Sequence, residues 1–381
     1  MNRMLNLKIT PKNFAKYGLS SNPFPYVGVP NEKALLYANR RKELKEVEEC
    51  IKSSLNGTSS HLVLIGSYGN GKTHTLKFIK KEIDTQLTNV IALYLASPGE
   101  KMLSLYSNFM YEFGLENLER LVWQFLEFCC GTKNLRKKVN EGEVLLPEIL
   151  EMGKKRLFNE IKYTDFANGF LRIIMEESKF VSWKYLCAEP IIHEQRRDID
   201  VVTCIDTDDK ALRAFLSIKK VFELIGKKAI CLCIDEFESI EYLHPLLKQK
   251  MLNNIRHLID LCPSGLCLVI GCAPEIWVDI VKQYHAFSER IFRQVTLKAL
   301  EKEDFQTFFT SYLKGYRIEG FTNKSPLFPF TEDAITEIHQ QAEGNIRRAL
   351  MICNRAIDKS LELELDSIDA KTIQKIFEEH F

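Results

Sequence analysis

HLVLIGSYGNGKTHTLKFIKKEI, residues 61–83, carries three signals in one run. Leu62–Ile65 is apolar and reads as a buried strand. Leu76, Ile79 and Ile83 then recur at i, i+3 and i+7, the core-facing stripe of a helix. Between them, Gly66, Ser67, Tyr68, Gly69, Asn70, Gly71, Lys72 and Thr73 satisfy G-x-x-x-x-G-K-[ST] in full. A phosphate-binding loop needs these types at this spacing. Glycines give the backbone dihedrals closed to other residues and let it approach a phosphate. Backbone N–H groups and the N-terminus of the next helix then face the negative charge. Lys72 is spaced to reach the β- and γ-phosphates, and the Thr73 hydroxyl to ligate Mg²⁺. The implied cofactors are ATP and Mg²⁺. His74 follows at the helix start and is counted with the loop, as a packing residue rather than a catalytic one.

A second run, KAICLCIDEFESI, ends an apolar stretch in acids. Its unbroken apolar character suits a parallel strand covered on both faces. Asp235 at the strand tip can hold Mg²⁺ directly or through water, and the adjacent Glu236, pointing elsewhere, can polarise an attacking water. The alternative is a strand ending in a solvated acidic turn. Glu238 is expected to be solvated or to cap a helix.

Outward from these runs, VIALYLA (90–96) reads as a strand, GLCLVIGCAPEIW (265–277) as another with a turn at Pro274, and RQVTLKAL as a short last strand. Strands alternating with helical patterns predict an α/β domain with a parallel sheet. Residues 1–34, with GLSSNPFPYVGVP, read as an irregular, extended arm, and 35–56 as a helix. From Glu301 onward the patterns are helical, broken by a loop at Ser325–Pro329, which predicts a separate small domain. The expected organisation is an arm (1–34), a core (35–300) and a helical C-terminal domain (301–381).

These runs resemble the AAA+ P-loop ATPases over nearly the whole chain. YANRRKELKEVEECI is similar to the family segment that precedes the phosphate loop and lines the adenine pocket, which implies Arg41 as a nucleotide contact; Asn39 or Arg40 stands where the family has Gly. LCLVIGCAPEIW sits at the sensor-1 strand, with Gly271 or Cys272 in place of the usual polar residue. FSERIFRQVTLKALEKEDF resembles the stretch leading into the lid, which implies Arg290 or Arg293 as an arginine finger given to a neighbour's ATP. AEGNIRRALMICNRAI resembles the sensor-2 helix, which implies Arg347 over the γ-phosphate. A guanidinium there stabilises charge developing on the transferred group; the alternative for each arginine is a solvated helix face. The resemblance implies a three-layer α/β P-loop core with a helical insertion and a C-terminal helical lid. It also implies a homo-oligomer. The lid resembles those of origin-recognition initiators, helicase loaders and transposition ATPases, although a winged-helix domain is not expected after the sensor-2 helix. In layout, GSYGNGKTH, SWKYLCAEP and GKKAICLCIDEFESI resemble the ATP-binding proteins of BREX-type phage-defence systems.

An AAA+ core needs far fewer residues between its second strand and Asp235, so an insertion is expected at about 115–207. It holds basic clusters (Lys133, Arg136–Lys138, Lys154–Arg156, Arg196–Arg197) with interleaved aromatics. These read either as a DNA- or partner-binding surface or as solvated lysines on a helical subdomain, the acids Glu141, Glu143, Glu148 and Glu151 among them favouring the second. HEQRR at His193 lacks the second His of a zinc motif.

The whole chain of 381 residues has 52 basic and 51 acidic side chains, so its net charge gives no sign of nucleic-acid binding, and any DNA contact must come from a local patch. The 11 cysteines form no CxxC pair and read as reduced, packed thiols of a cytoplasmic protein. No signal-peptide core and no run of ~18 apolar residues occurs, so no membrane span is expected. Three functions remain open: a DNA-associated regulatory ATPase in phage defence, transposition or replication; a protein-partnered switch that does not touch DNA; and a nucleotide-binding module without turnover. The presence of Lys72, Thr73, Asp235, Glu236 and Arg347 together argues against the third.

Overall fold

A computed structural model describes residues 12–26, 40–322 and 325–380. Five strands form one sheet in the order β2-β3-β4-β1-β5. They are β1 (Ser60–Ile65), β2 (Val90–Leu95), β3 (Ala229–Ile234), β4 (Leu266–Cys272) and β5 (Arg293–Thr296), and every pairing is parallel. Every residue of β3 and β4 is buried, so both faces of the sheet's centre are covered, as an unbroken apolar run requires. The fold is α/β with a parallel sheet, as the alternating pattern predicts.

The chain divides into two compact units. One comprises 44–65 and 79–296 and contains the whole sheet. Between β2 and β3 it carries eight helices, from Met102–Phe113 to Asp208–Leu224. Six of them, Leu115–Cys130 to His193–Asp198, occupy the span where an insertion is expected. Their apolar faces join the sheet in one core, with Phe125, Phe166, Phe170 and Tyr185 buried among them. Ile79 and Ile83 of the helix Lys72–Gln86 are buried as their spacing predicts. Cys231, Cys233, Cys267 and Cys50 are packed thiols, and contact with the Cys267 thiol, followed by burial, pushes the Cys50 thiol far up.

The other unit comprises residues up to 43, 66–78 and 297–381. Its helices Lys302–Gly315, Glu332–Ala342, Ile346–Glu362 and Ala370–His380 enclose a second core. The described part of the N-terminal segment departs from the expected extended arm. Phe14–Tyr17 forms a 3₁₀ turn, and Tyr17, Leu19 and Phe24 are buried in this core. Phe24 stacks on Phe309 at 5.0 Å and meets Phe330 edge-on at 6.1 Å. Asn22 donates to the Asn354 carbonyl and to Asp358, both at 3.0 Å, while the Asn354 amide donates to the Phe24 carbonyl at 2.5 Å. The prolines predict loss of helix; what they conceal is that Phe24 between them is an anchor, with roughly 2–3 kcal/mol from its burial. Residues 27–39, and with them the start of the helix expected at 35, lie outside the described residues; the helix is observed from Arg41 to Leu55.

His61 on β1 is buried, and desolvation pulls its imidazole down to about 4 from 6.5. The folded state thus favours the neutral ring, while the unfolded chain takes up a proton as pH falls below 6.5. Stability tied to this group is complete above about pH 6.5 and drains towards pH 4, with about 2 kcal/mol gone by pH 5. Urea unfolding at pH 7.5 and 5.0 should show this loss in the natural chain, and a His61→Leu chain should lose less by about that amount.

Candidate functional site

The phosphate loop begins at the residue after β1. Two of its glycines have positive φ, Gly69 at 85° and Gly71 at 90°, a region that L side chains rarely enter. Gly69 has a second reason to lack a side chain: a Cβ there would lie 2.3 Å from the Asn345 Oδ1. Lys72 opens the helix Lys72–Gln86, is buried, and donates from Nζ to the Gly66 carbonyl at 2.7 Å. The ammonium is thereby held inside the ring of the loop. Thr73 and His74 are half-buried in the same first turn. Positive-φ glycines, an inward lysine and a hydroxyl in the first turn form a cradle that fits a nucleotide's phosphates and a hard cation with few protein ligands.

The loop is bonded within its own unit on two sides. On one, Asn70 donates to the Leu297 carbonyl at 3.1 Å, and Arg40 donates to the carbonyls of Asn70 at 3.2 Å and Lys298 at 2.8 Å. The buried residue that reaches the loop is therefore Arg40. Arg41, its exposed neighbour, lines a cavity of about 350 Å³ together with Lys298 and Asp304. On the other side stands the first turn of the helix Ile346–Glu362. Asn345 caps that helix by accepting from the Arg348 N–H at 3.1 Å, and its amide donates to the Tyr68 carbonyl at 2.7 Å. The Arg347 N–H donates to the Gly69 carbonyl at 3.3 Å. The Arg347 guanidinium lies 4.3 Å from the centre of the Tyr68 ring, a cation–π contact on a ring 76% exposed. Sequence reading singles out Arg347 and Tyr68 but not their contact, and misses Asn345 and Arg40. The N-cap pattern of Asn before a helix is the signal that could have found Asn345.

In the sheet unit, Asp235 follows β3 and is 2% exposed. Its N–H donates to the Leu95 carbonyl at 2.8 Å, continuing the β2–β3 ladder by one step. Both carboxylate oxygens accept bonds: Oδ1 from the Glu236 N–H at 2.9 Å, and Oδ2 from the Tyr94 hydroxyl at 2.8 Å. Burial and then the neighbouring Asp235 charge raise the Tyr94 hydroxyl well above the ordinary tyrosine range, so it remains a donor. Glu236 adopts a left-handed φ of 46°, which breaks the strand's alternation and leaves its side chain in solvent. The two acids thus differ as their expected roles differ, one buried and fixed, the other exposed. Glu238 is half-buried in the 3₁₀ turn Phe237–Tyr242 rather than solvated.

The residues expected at sensor 1 end β4: Gly271 and Cys272 are buried, and neither supplies a hydroxyl or amide side chain. Arg290 pairs with Asp260 at 3.1 Å, and Arg293 with Glu46 at 3.4 Å and Glu49 at 3.7 Å. An exposed pair like that of Arg290 contributes about 0–1 kcal/mol, so Asp260 is a weak hold on it. In the insertion span, the basic residues are largely engaged locally: Arg136 with Glu119, Lys137 with Glu141, Lys154 with Asp200, Lys155 with Glu151 and Arg156 with Glu160. Tyr185 is buried in the core and Trp183 packs edge-on to Tyr111 at 6.0 Å. No helix among the described residues is long and apolar enough to cross a membrane.

Residues 175–358 match the family described as BREX system ATP-binding protein BrxC/D, a span that includes β3, β4, Asp235, Arg290 and Arg347. An uncharacterized HTH-type transcriptional regulator of Methanocaldococcus jannaschii is 19% identical over 367 residues, which cover 94% of this chain and 72% of that protein. The ORC2 protein of Aeropyrum pernix superposes with a TM-score of 0.53 at 11% identity, covering 90% of this chain and 68% of its own. The ORC1 protein of the same organism, solved in complex with DNA, gives 0.50 at 12% identity, covering 93% and 68%. At these identities the structures speak for the fold alone. They give the chain the fold of the AAA+ P-loop ATPases, while the match to an ATP-binding family covers its acid and lid segments.

Proposed function

We propose that the chain binds ATP·Mg²⁺ at Gly66–Thr73 and hydrolyses it, acting as a switch within DNA-associated machinery of the phage-defence kind. The observation that carries this is the match to BREX ATP-binding proteins together with a complete phosphate loop whose glycines hold the required dihedrals. Lys72 and the loop N–H groups bind the phosphates, and Thr73 and Asp235 hold the cation. When bound, Mg²⁺ neutralises charge on the phosphate oxygens. Glu236, exposed to solvent, polarises the attacking water. Arg347 leaves the Tyr68 ring to meet the γ-phosphate, and Arg290, weakly held by Asp260, is given to a second copy of the chain in a homo-oligomer. The DNA association is supported by the transcriptional-regulator relative.

A second reading, a switch whose effector is another protein and which does not touch DNA, is favoured by one observation. Most basic residues of the clusters in the insertion span are paired with carboxylates, three of them one helical turn away. Steady-state hydrolysis of ATP with and without double-stranded DNA separates the two. Stimulation by DNA, abolished in Glu236→Gln, is the expected result. Turnover indifferent to DNA favours the protein-partnered switch, and retention of full activity by Glu236→Gln sinks the role given to that acid.

Gly69→Ala tests the loop itself. It meets both an unfavourable φ and the Asn345 side chain, whereas Gly57→Ala, at φ 93° with nothing within 4 Å, meets the dihedral cost alone. A strained non-glycine dihedral costs about 1–3 kcal/mol. Affinity for a fluorescent ATP analogue should fall roughly tenfold or more in Gly69→Ala, about 1.4 kcal/mol, and stay unchanged in Gly57→Ala. Equal affinities in both would detach the loop's conformation from nucleotide binding.

A further inference from the structure

Tyr94 was not marked by any motif, yet the sheet register aims it at Asp235. In the β2–β3 pairing, Tyr94 is opposite Cys233. Side chains alternate along a strand, so Cys233 and Asp235, two residues apart, share a face, and Tyr94 shares it with them. A tyrosine is long enough to reach its diagonal neighbour across a strand pair. Its hydroxyl does so, donating to Asp235 Oδ2 at 2.8 Å.

We propose that Tyr94 is a positioning residue for the cation-binding carboxylate: its hydroxyl fixes the rotamer of Asp235 and selects which lone pairs are left for Mg²⁺ and its waters. This deepens, and rests on, the reading of Asp235 as the residue that holds Mg²⁺. A carboxylate offers about four lone-pair sites. Two are taken inside the fold, one on each oxygen, by the Glu236 N–H and the Tyr94 hydroxyl. The two that remain point in directions set by these partners. The Glu236 N–H belongs to the backbone and holds Oδ1 whatever the neighbouring side chains are. The bond to Oδ2 depends on one side-chain hydroxyl. Without it the carboxylate is held at Oδ1 alone, its broad Cβ–Cγ torsion is less restrained, and the cation must complete its ordering on binding. Asp235 is buried, so the lost donor is not readily replaced by bulk water.

The test is Tyr94→Phe, which keeps the ring and deletes only the hydroxyl, beside Asp235→Asn and the natural chain. The measurement is the affinity for a fluorescent ATP analogue in EDTA and across a Mg²⁺ titration, with the thermal unfolding midpoint as a check on the fold. The expected result is an unchanged affinity in EDTA and a Mg²⁺-dependent tightening reduced at least threefold in Tyr94→Phe. The Mg²⁺ concentration for half effect should rise, while Asp235→Asn loses the tightening outright. A merely structural tyrosine would move the unfolding midpoint and the EDTA affinity instead, and that outcome overturns the proposal. A Tyr94→Phe chain equal to the natural one in Mg²⁺ response overturns it too, while loss in Asp235→Asn leaves the metal role of Asp235 standing. If Asp235→Asn keeps the full Mg²⁺ response, that metal role falls and the proposal falls with it.

Discussion

The parallel register of β1, β3 and β4 is the constraint on which the placement of the strand ends depends. Ile65 at the end of β1 lies opposite Cys272 at the end of β4, and Ile234 at the end of β3 lies opposite Ile270. The carboxyl ends of the three strands therefore finish together on one edge of the sheet. Gly66 follows the first, Asp235 follows the second, and Gly271 and Cys272 close the third. Burial of β3 and β4 on both faces fixes the level of these ends, because a slip of one residue would turn every apolar side chain of the strand towards the wrong layer.

Much of this was legible in the residues. The loop announces itself by spacing, and its glycines take the dihedrals the spacing implies. Asp235 and Glu236 stand where an apolar run stops, and their contrast between buried and exposed follows from the break in strand geometry at Glu236. What was not legible depends on partners distant in the chain. Tyr94 reads as one more apolar strand residue until β2 is paired with β3. Arg40 looks like a departure from a family glycine until its guanidinium is seen bridging Asn70 and Lys298. Phe24 sits between prolines in a stretch whose composition says irregular, and irregular it is, but with its ring in a core assembled from helices some 300 residues later. Local pattern reports backbone preference; it does not report which side chain a tertiary contact will recruit.

The insertion span shows the same limit from the opposite side. Its lysines and arginines cluster in the sequence, which invites a reading as a polyanion surface. In the fold most have carboxylates within reach, often four residues away on the same helix face. Each such pair contributes little to stability, yet together they lower the local positive potential that binding a phosphate backbone requires. Sequence counts of basic residues overstate a patch whenever acids are interleaved at helical spacing.

The cap at Asn345 places a narrow demand on the genetic code. Aspartate, serine and threonine cap helices as well as or nearly as well as asparagine, so a cap alone would let the four exchange. At this position the side chain must accept from Arg348 and, from its other terminal atom, donate to the Tyr68 carbonyl. Aspartate would set a second oxygen against that carbonyl, and serine or threonine would have one atom for two separate partners. Only the amide carries an acceptor and a donor on a single planar fork. A helix terminus that is ordinarily among the most permissive sites in a protein has thus been narrowed to a single letter, and Gly69 opposite it to another.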